Sequence, residues 1–258
     1  FVYISVGAGE NWDNFVNWSL RKDYGGIENL SLIPGNVGSA PIQNIGAYGV
    51  ELDSVFESCR AISLENKKVK IFHKIDCDFT YRSSVFKEKL KNKYIISRVV
   101  FKLTKKSHFL KTNYKPLKEL IKIKNISNPT IQDISNLVKE IRSSKLPDPK
   151  IIGNCGSFFK NPIISKNKLE KISSIDKLIP FFKLSEEKFK IPAAWLIEKC
   201  GMKGRIEGQT GTHKEHALVI INLGAATGTE IYNFSQKIKK LVLKKFNILL
   251  EEEVNIID

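Results

Sequence analysis

"GSAPIQNIGAYGVEL", Gly38–Leu52, decides how the rest of the chain is read. It holds three glycines (Gly38, Gly46 and Gly49), one proline and two side-chain amides. Its only charged side chain is Glu51, in a chain whose formal net charge at pH 7 is +15. Glycine lets a backbone approach a ligand closely and take up positive φ. Successive backbone N–H groups in such a loop cradle phosphate, and neutral side chains do not compete for it. Gln43 and Asn44 can address the polar edge of a flat heterocycle. The plainer alternative is a surface loop of turn residues. The stretch is neither a P-loop nor G-x-G-x-x-G.

The surrounding chain bounds the choice. Its 258 residues are comfortable for two domains. Hydrophobic residues make up 42% and charged residues 27%, the balance of a soluble globular protein with a real core. No apolar run approaches the roughly 18 residues of a membrane helix, and no secretory signal opens the chain. Phe1–Val6 reads as a strand already under way, so we expect the true N-terminus to lie upstream. The lysines are spread among many Ile and Asn, which reads as compositional bias. No nucleic-acid and no membrane partner is expected, whereas phosphate-bearing small ligands suit a basic surface. Cys59, Cys77, Cys155 and Cys200 are far apart and form no C-x-x-C pair, which predicts free thiols in a reducing cytoplasm. His213 and His216 in "HKEH" lack the H-E-x-x-H spacing, so no metal site is expected.

Working outward, Trp12, Phe15, Val16, Ser19 and Leu20 fall at helical spacing after the first strand. Gly25–Gly49 is too long and too rich in Gly and Pro for regular structure, and long structured loops carry function. Strand-like runs follow at Val55–Ser63, Lys68–Phe72 and Tyr94–Leu103. "TIQDISNLVKEI" predicts a helix capped by Thr130, with Ile134, Leu137, Val138 and Ile141 on one stripe. "KLPDPK", Lys145–Lys150, is the preferred domain boundary. Beyond it, Pro192–Cys200 reads as a helix stopped by Gly201, and Ala217–Asn222 as a buried strand. A long helix starts at a Thr227/Glu230 capping box, with Ile231, Phe234, Ile238 and Leu241 inward. Ile248–Ile257 reads as a last strand. Strands and helices mix without βαβ alternation, which favours α+β.

Three further segments hold candidate chemistry. "FTYRSSVFK" sets Tyr81 and Arg82 beside two serines; alone, such an arginine on a strand is a structural ion-pair partner. "GNCGSFFKNP" sets Ser157 after a glycine and near Lys160 and Asn161; alone, Ser157 is a turn or capping residue. "LLEEEV" places Glu251 and Glu253 on one face of a strand with Glu252 pointing away; alone, the run is a solvated face.

Read in order, "VGAGENW", "IPGNVGSAPIQNIGAYGVEL", "YRSSVFK", "KLPDPK", "GNCGSFFKNP", "AAWLIEKCGMKG" and "EEEV" resemble the UDP-N-acetylenolpyruvoylglucosamine reductases (MurB), flavoenzymes of bacterial cell-wall synthesis. The resemblance covers nearly the whole chain. "LKTNYKPLKEL" is similar to the form of the family with a substrate-covering tyrosine loop. The resemblance implies an α+β chain: a PCMH-type FAD-binding domain, incomplete at its N-terminus, over residues 1–146, then a MurB-like substrate-binding domain over 147–246. A return strand over 247–258 then carries the catalytic glutamate. It also implies a cytoplasmic monomer.

The implied reaction reduces the enol-ether double bond of UDP-N-acetylglucosamine enolpyruvate to UDP-N-acetylmuramate, with NADPH first reducing FAD. Hydride reaches C3 of the enolpyruvyl group, and the negative charge left at C2 and its carboxylate needs stabilisation and one proton. By matching, Arg82 stabilises that enolate, Glu253 assists as a hydrogen-bonding partner and Ser157 is the proton donor, so these three distant residues are expected to converge on one face of the flavin. Gly35, Val37, Gly38, Ser39, Pro41, Gln43, Asn44, Gly46, Ala47, Tyr48 and Gly49 would lie along FAD together with Arg82. Tyr81, Tyr114, Lys145, Asn161 and His216 would contact substrate, Tyr114 closing over its UDP part.

The chain departs from the family's pattern twice. Nothing in it matches the family's opening G-x-G-S-N segment, which forms the other half of the flavin site, so weak FAD binding is expected of this chain by itself. His216 stands where better-known members carry glutamine; histidine still hydrogen-bonds, so altered affinity is expected rather than lost chemistry. Two other readings stand beside this one, a flavin oxidoreductase for another substrate and a truncated, non-catalytic remnant.

Overall fold

A computed structural model of the chain describes residues 1–257. It divides into two compact units, Phe1–Arg142 and Ser143–Asp258.

The first unit begins with strand β1 (Val2–Gly7) and helix α1 (Trp12–Arg21). The Asn11 side chain caps α1 by accepting from the Asn14 amide at 3.0 Å. The five residues of the expected stripe, Trp12, Phe15, Val16, Ser19 and Leu20, are its buried face. Short strands β2 (Tyr24–Gly25), β3 (Gly46–Ala47) and β4 (Val50–Glu51) punctuate the glycine-rich region. Then come β5 (Phe56–Ser63), β6 (Val69–His73), β7 (Tyr94–Lys105), α2 (Lys115–Ile123) and α3 (Ile131–Lys145). The main sheet runs β1-β7-β5-β6, all antiparallel, with β2 added beside β7. The period of two along β7 turns Val99, Phe101 and Leu103 into the core, and an irregularity at Ser97 shifts the phase so that Ile96 joins them; Phe101 meets the Trp12 and Phe15 rings at 5.9 and 4.9 Å. The Trp12 indole N–H donates to the Leu30 carbonyl at 2.9 Å, tying the helix to the glycine-rich region.

The second unit contains β8 (Gly153–Ser157), β9 (Ile163–Ser165), α4 (Lys166–Ile175), β10 (Phe182–Lys183), β11 (Lys188–Lys190), α5 (Ala193–Lys199), β12 (Ile206–Glu207), β13 (Thr210–Thr212), β14 (Val219–Asn222) and α6 (Gly228–Phe246). A sheet of order β12-β13-β14-β8 and a smaller one of order β10-β11-β9 surround a core holding Phe158, Phe159, Ile172, Leu196, Ile220, Phe234 and Ile238. The Thr227/Glu230 capping box closes the start of α6 as the sequence predicts.

Four expectations need correction. Ile248–Ile257 is not a strand: Ile248 and Leu250 are buried with strand-like alternation, but the segment pairs only through a bridge between Glu252 and Phe159 and is otherwise irregular, because its partner stretch is too short to continue the ladder. Tyr81 and Arg82 are not on a strand either; they form the corner of a tight turn closed by paired Thr80–Ser83 backbone hydrogen bonds, both 3.1 Å. The buried stripe of α6 runs from Phe234 and Ile238 through Val242 and Phe246, with Ile231 and Leu241 only partly buried. Helices α2 and α4 lie where no helix is predicted. All four cysteines are free thiols. Cys59 and Cys77, distant in sequence, meet in the core, where the hydrogen bond to Cys77 and burial push the Cys59 thiol far up.

Candidate active site

In the first unit the glycine-rich segment is bolted to the turn after β1. The Trp12 amide donates to Gly35 O at 3.0 Å, Val37 N to Glu10 O at 2.9 Å and Gly38 N to Ala8 O at 2.9 Å. A Cβ on Gly38 would sit 2.5 Å from the Ala8 Cβ, and one on Gly46 would lie 2.8 Å from Arg82 Nη1 and 2.9 Å from Val50 O. At these two positions the missing side chain makes room for the protein itself, which corrects the expectation that a ligand alone explains the small residues. Gly35 and Gly49 differ: both are exposed, with φ of +108° and +84°, and nothing backbone crowds them.

Residues 80–87 clasp this segment from the side. Asn44 Nδ2 donates to Thr80 O at 3.1 Å, Ser84 Oγ to Ile42 O at 2.6 Å, Lys87 Nζ to Gln43 Oε1 at 3.4 Å and Arg82 Nη2 to Gly46 O at 2.5 Å. Arg82 adopts a left-handed φ of 56° and its guanidinium lies 5.1 Å from the Tyr81 ring centroid. The turn therefore presents Arg82 to the Gly46–Gly49 hairpin, joining two of the predicted segments. Asn44 is spent differently from its expected role. It is fully buried, and its side chain also donates to Glu51 at 3.0 Å and accepts from the Asp53 amide at 3.0 Å. Val37 and Pro41 are likewise buried, so their side chains support the segment from beneath.

FAD suits the exposed part of this surface. Among the described residues the Gly35 and Gln43 amides donate to no carbonyl, and the Gln43 side-chain amide is half-exposed. With the open corner at Gly49 and the Arg82 guanidinium, they form the neutral and cationic donor set that a diphosphate and a ring carbonyl require; Ser39 is exposed beside them, its hydroxyl and amide both donating to Asn36 O at 2.7 and 3.0 Å.

Tyr114 precedes α2, with its ring 5.2 Å from Tyr48 and 82° to it. Burial pushes the Tyr48 phenol up to about 12, partly opposed by the hydrogen-bonded Arg142 guanidinium, and burial raises Tyr114 as well. Both phenols are protonated donors at neutral pH.

In the second unit Ser157 ends β8, paired with Val219 of β14 beside a register shift. The chain continues into buried Phe158 and Phe159, where the Glu253 amide donates to Phe158 O at 2.8 Å. Ser157 and Glu253 are thus brought to neighbouring backbone. The acidic run is divided: Glu251 is solvent-exposed, whereas Glu252 and Glu253 are partly buried. Glu251 pairs with Lys160 at 3.1 Å, and Glu252 accepts from Lys239 at 2.8 and 3.0 Å and from Gln236 at 2.9 Å. Burial pulls the Glu252 carboxyl upward, but those donors outweigh it and hold the group below the usual carboxylate range. Asn161 Oδ1 accepts from the Ala193 amide at 2.8 Å, capping α5. His216 keeps a buried Nδ1 with no hydrogen-bond partner among the described residues. Burial, then the nearby Lys145 charge, lower its imidazole below the usual histidine value, so it is neutral at physiological pH.

Sequence reasoning missed Asn29, which is fully buried, and Arg142. Nothing local marks them, since their partners are distant in sequence.

Comparison with known proteins adds to this geometry. Residues 148–257 match the family described as UDP-N-acetylenolpyruvoylglucosamine reductase, C-terminal domain, and residues 2–69 the family described as FAD binding domain. UDP-N-acetylenolpyruvoylglucosamine reductase of Flavobacterium johnsoniae is 49% identical over 100% of this chain and 76% of its own length. Those of Amoebophilus asiaticus and Pseudomonas aeruginosa are 47% and 40% identical, each over 99% of this chain and 75% of their own. A crystal structure of UDP-N-acetylenolpyruvylglucosamine reductase (MurB) from Thermus caldophilus aligns with a TM-score of 0.66 over 98% of this chain and 71% of that one. At 22% identity that likeness shows the fold.

Proposed function

The chain belongs to the UDP-N-acetylenolpyruvoylglucosamine reductase family, and from that premise we propose that it reduces UDP-N-acetylglucosamine enolpyruvate to UDP-N-acetylmuramate for peptidoglycan synthesis. FAD, reduced by NADPH, supplies the hydride that reaches C3 of the enolpyruvyl group. The protein's own residues manage the charge and the proton. Arg82, anchored at the Gly46 carbonyl, stabilises the enolate that develops at C2 and the adjoining carboxylate. Ser157 Oγ delivers the proton to C2. A hydroxyl is a weak acid, but a carbanion-like centre is a strong enough base to take its proton. Glu253 holds the reacting group by hydrogen bonding. Gly35, Ser39, Gln43 and Gly49 hold the cofactor by backbone and amide contacts, while Tyr81, Tyr114, Lys145, Asn161 and His216 bind substrate.

The carrying observation is the clasp that sets Arg82 on the glycine-rich segment. An identity of 49% across the whole chain runs against the remnant reading. The test is anaerobic turnover of the FAD-loaded protein with NADPH. UDP-N-acetylmuramate formed in equimolar amount to NADPH oxidised supports the proposal. NADPH oxidation with the enolpyruvyl sugar nucleotide left intact refutes it.

A further inference from the structure

Asn29 is fully buried, yet its side chain is committed to two distant backbone carbonyls. Its Nδ2 donates to Tyr48 O at 2.9 Å and to Lys111 O at 2.9 Å. Tyr48 O belongs to the left-handed corner of the glycine-rich segment, with φ of 49°. Lys111 lies three residues before Tyr114, on the tyrosine-bearing segment. One amide therefore straps the two segments together. Only the nitrogen carries hydrogens, so the flipped amide would set an oxygen against two carbonyls. Its Oδ1 is buried with no partner among the described residues, so the two donated bonds alone fix the side chain.

The strap sits beside two other fixings. The Tyr48 phenol is hydrogen-bonded to Arg142 and forms the surface on which the Tyr114 ring rests. Leu117, one turn into α2, is fully buried in a cluster with Ile134, Leu137, Val138 and Ile141 of α3. Leu117 fixes where α2 lies, whereas Asn29 fixes how far the segment before it stands from the Tyr48–Gly49 corner.

We propose that Asn29 is a positioning residue that sets Tyr114 against the glycine-rich corner and thereby tunes affinity for the nucleotide end of the substrate. This rests on the substrate-binding reading of Tyr114. Asn29 touches neither substrate nor cofactor, and removing it frees Tyr114 to wander from its productive position.

The experiment compares Asn29→Ala, Asn29→Asp, Tyr114→Ala and the Asn29→Ala/Tyr114→Ala double variant in the FAD-loaded protein. Readouts are KM for the enolpyruvyl sugar nucleotide, kcat, and the rate of flavin reduction by NADPH. Asn29→Ala should raise KM about tenfold, the loss of two ordinary hydrogen bonds, and leave flavin reduction within about twofold. Asn29→Asp, which turns both donors into acceptors, should raise KM at least as much. The double variant should match Tyr114→Ala alone, because a residue acting through Tyr114 has nothing left to position. Unchanged KM in Asn29→Ala, KM effects that multiply in the double variant, or equal loss of flavin reduction would overturn the proposal. If Tyr114→Ala leaves KM unchanged, the reading of Tyr114 falls and takes the proposal with it; if only the Asn29 variants are silent, Asn29 alone is wrong.

Discussion

Replacing Gly38 by alanine tests whether the glycine-rich segment is small for the chain's sake. The new Cβ would stand 2.5 Å from the Ala8 Cβ and 3.2 Å from both the Ala8 Cα and its carbonyl oxygen. Carbon atoms prefer roughly 3.5–4.0 Å, so the segment must lift by about 1 Å. Overpacking of this kind costs about 1–3 kcal/mol. Lifting also stretches the Gly38–Ala8 and Val37–Glu10 backbone bonds, both 2.9 Å, and weakening them adds about 1 kcal/mol. Gly38→Ala should therefore destabilise the first unit by about 2–4 kcal/mol. Ala8→Gly removes the 2.5 Å partner; alone it should cost about 0.5–1 kcal/mol, and combined with Gly38→Ala it should restore more than half of the loss. Urea unfolding followed by tryptophan fluorescence reads this directly, since Trp12 and Trp18 lie in the first unit. A Gly38→Ala protein within about 0.5 kcal/mol of the parent, or one that Ala8→Gly does not rescue, would refute the close-packing argument.

Other substitutions probe other parts of the scaffold. Glu252→Gln should lower stability at pH 7 by about 1–2 kcal/mol, because the ion pair with Lys239 is reduced to an ammonium–amide hydrogen bond and one of the two acceptor oxygens is lost. The Glu252 pKa is depressed in the folded state, so its contribution is present above the unfolded carboxylate value and lost as pH falls through the folded one. The deficit should narrow as pH falls from 7 into the acid range; urea midpoints that differ equally at every pH across that range would contradict this. Thr227→Ala removes the hydroxyl that joins the Thr227 and Glu230 ends of the α6 capping box and should cost about 1 kcal/mol by the same melts. Asn44→Ala leaves the part-buried Asp53 amide unpaired and takes a donor from both Glu51 and the Thr80 carbonyl, and should cost about 2–4 kcal/mol, with weakened FAD retention measured by equilibrium dialysis.

Much of this was legible where local signals agree. The Trp12–Leu20 stripe rests on periodicity, the α3 stripe and the helix at the Thr227/Glu230 box combine periodicity with a cap, and each stands in the fold. Helix α2 escaped because Pro116, here in its first turn, reads as part of a loop. The terminal segment imitates a strand by its apolar residues, but its partner stretch Phe158–Lys160 is too short to pair more than Glu252. The chemical motifs were visible as residue types, not as geometry. Nothing local says that Arg82 sits at a left-handed turn, that Asn44 is consumed by Glu51, Thr80 and Asp53, or that Asn29 joins Tyr48 to Lys111. Those depend on long-range neighbours that periodicity does not encode.

The proton donor decides the chemistry, and rapid mixing of a Ser157→Ala protein isolates it. With FAD bound, reduction by NADPH should keep nearly its parental rate, since no proton from Ser157 is needed there. Reoxidation by the enolpyruvyl sugar nucleotide should slow by at least about a hundredfold, the scale of a lost general acid. Parental reoxidation, or an equal fall in both half-reactions, would show that Ser157 does not protonate C2.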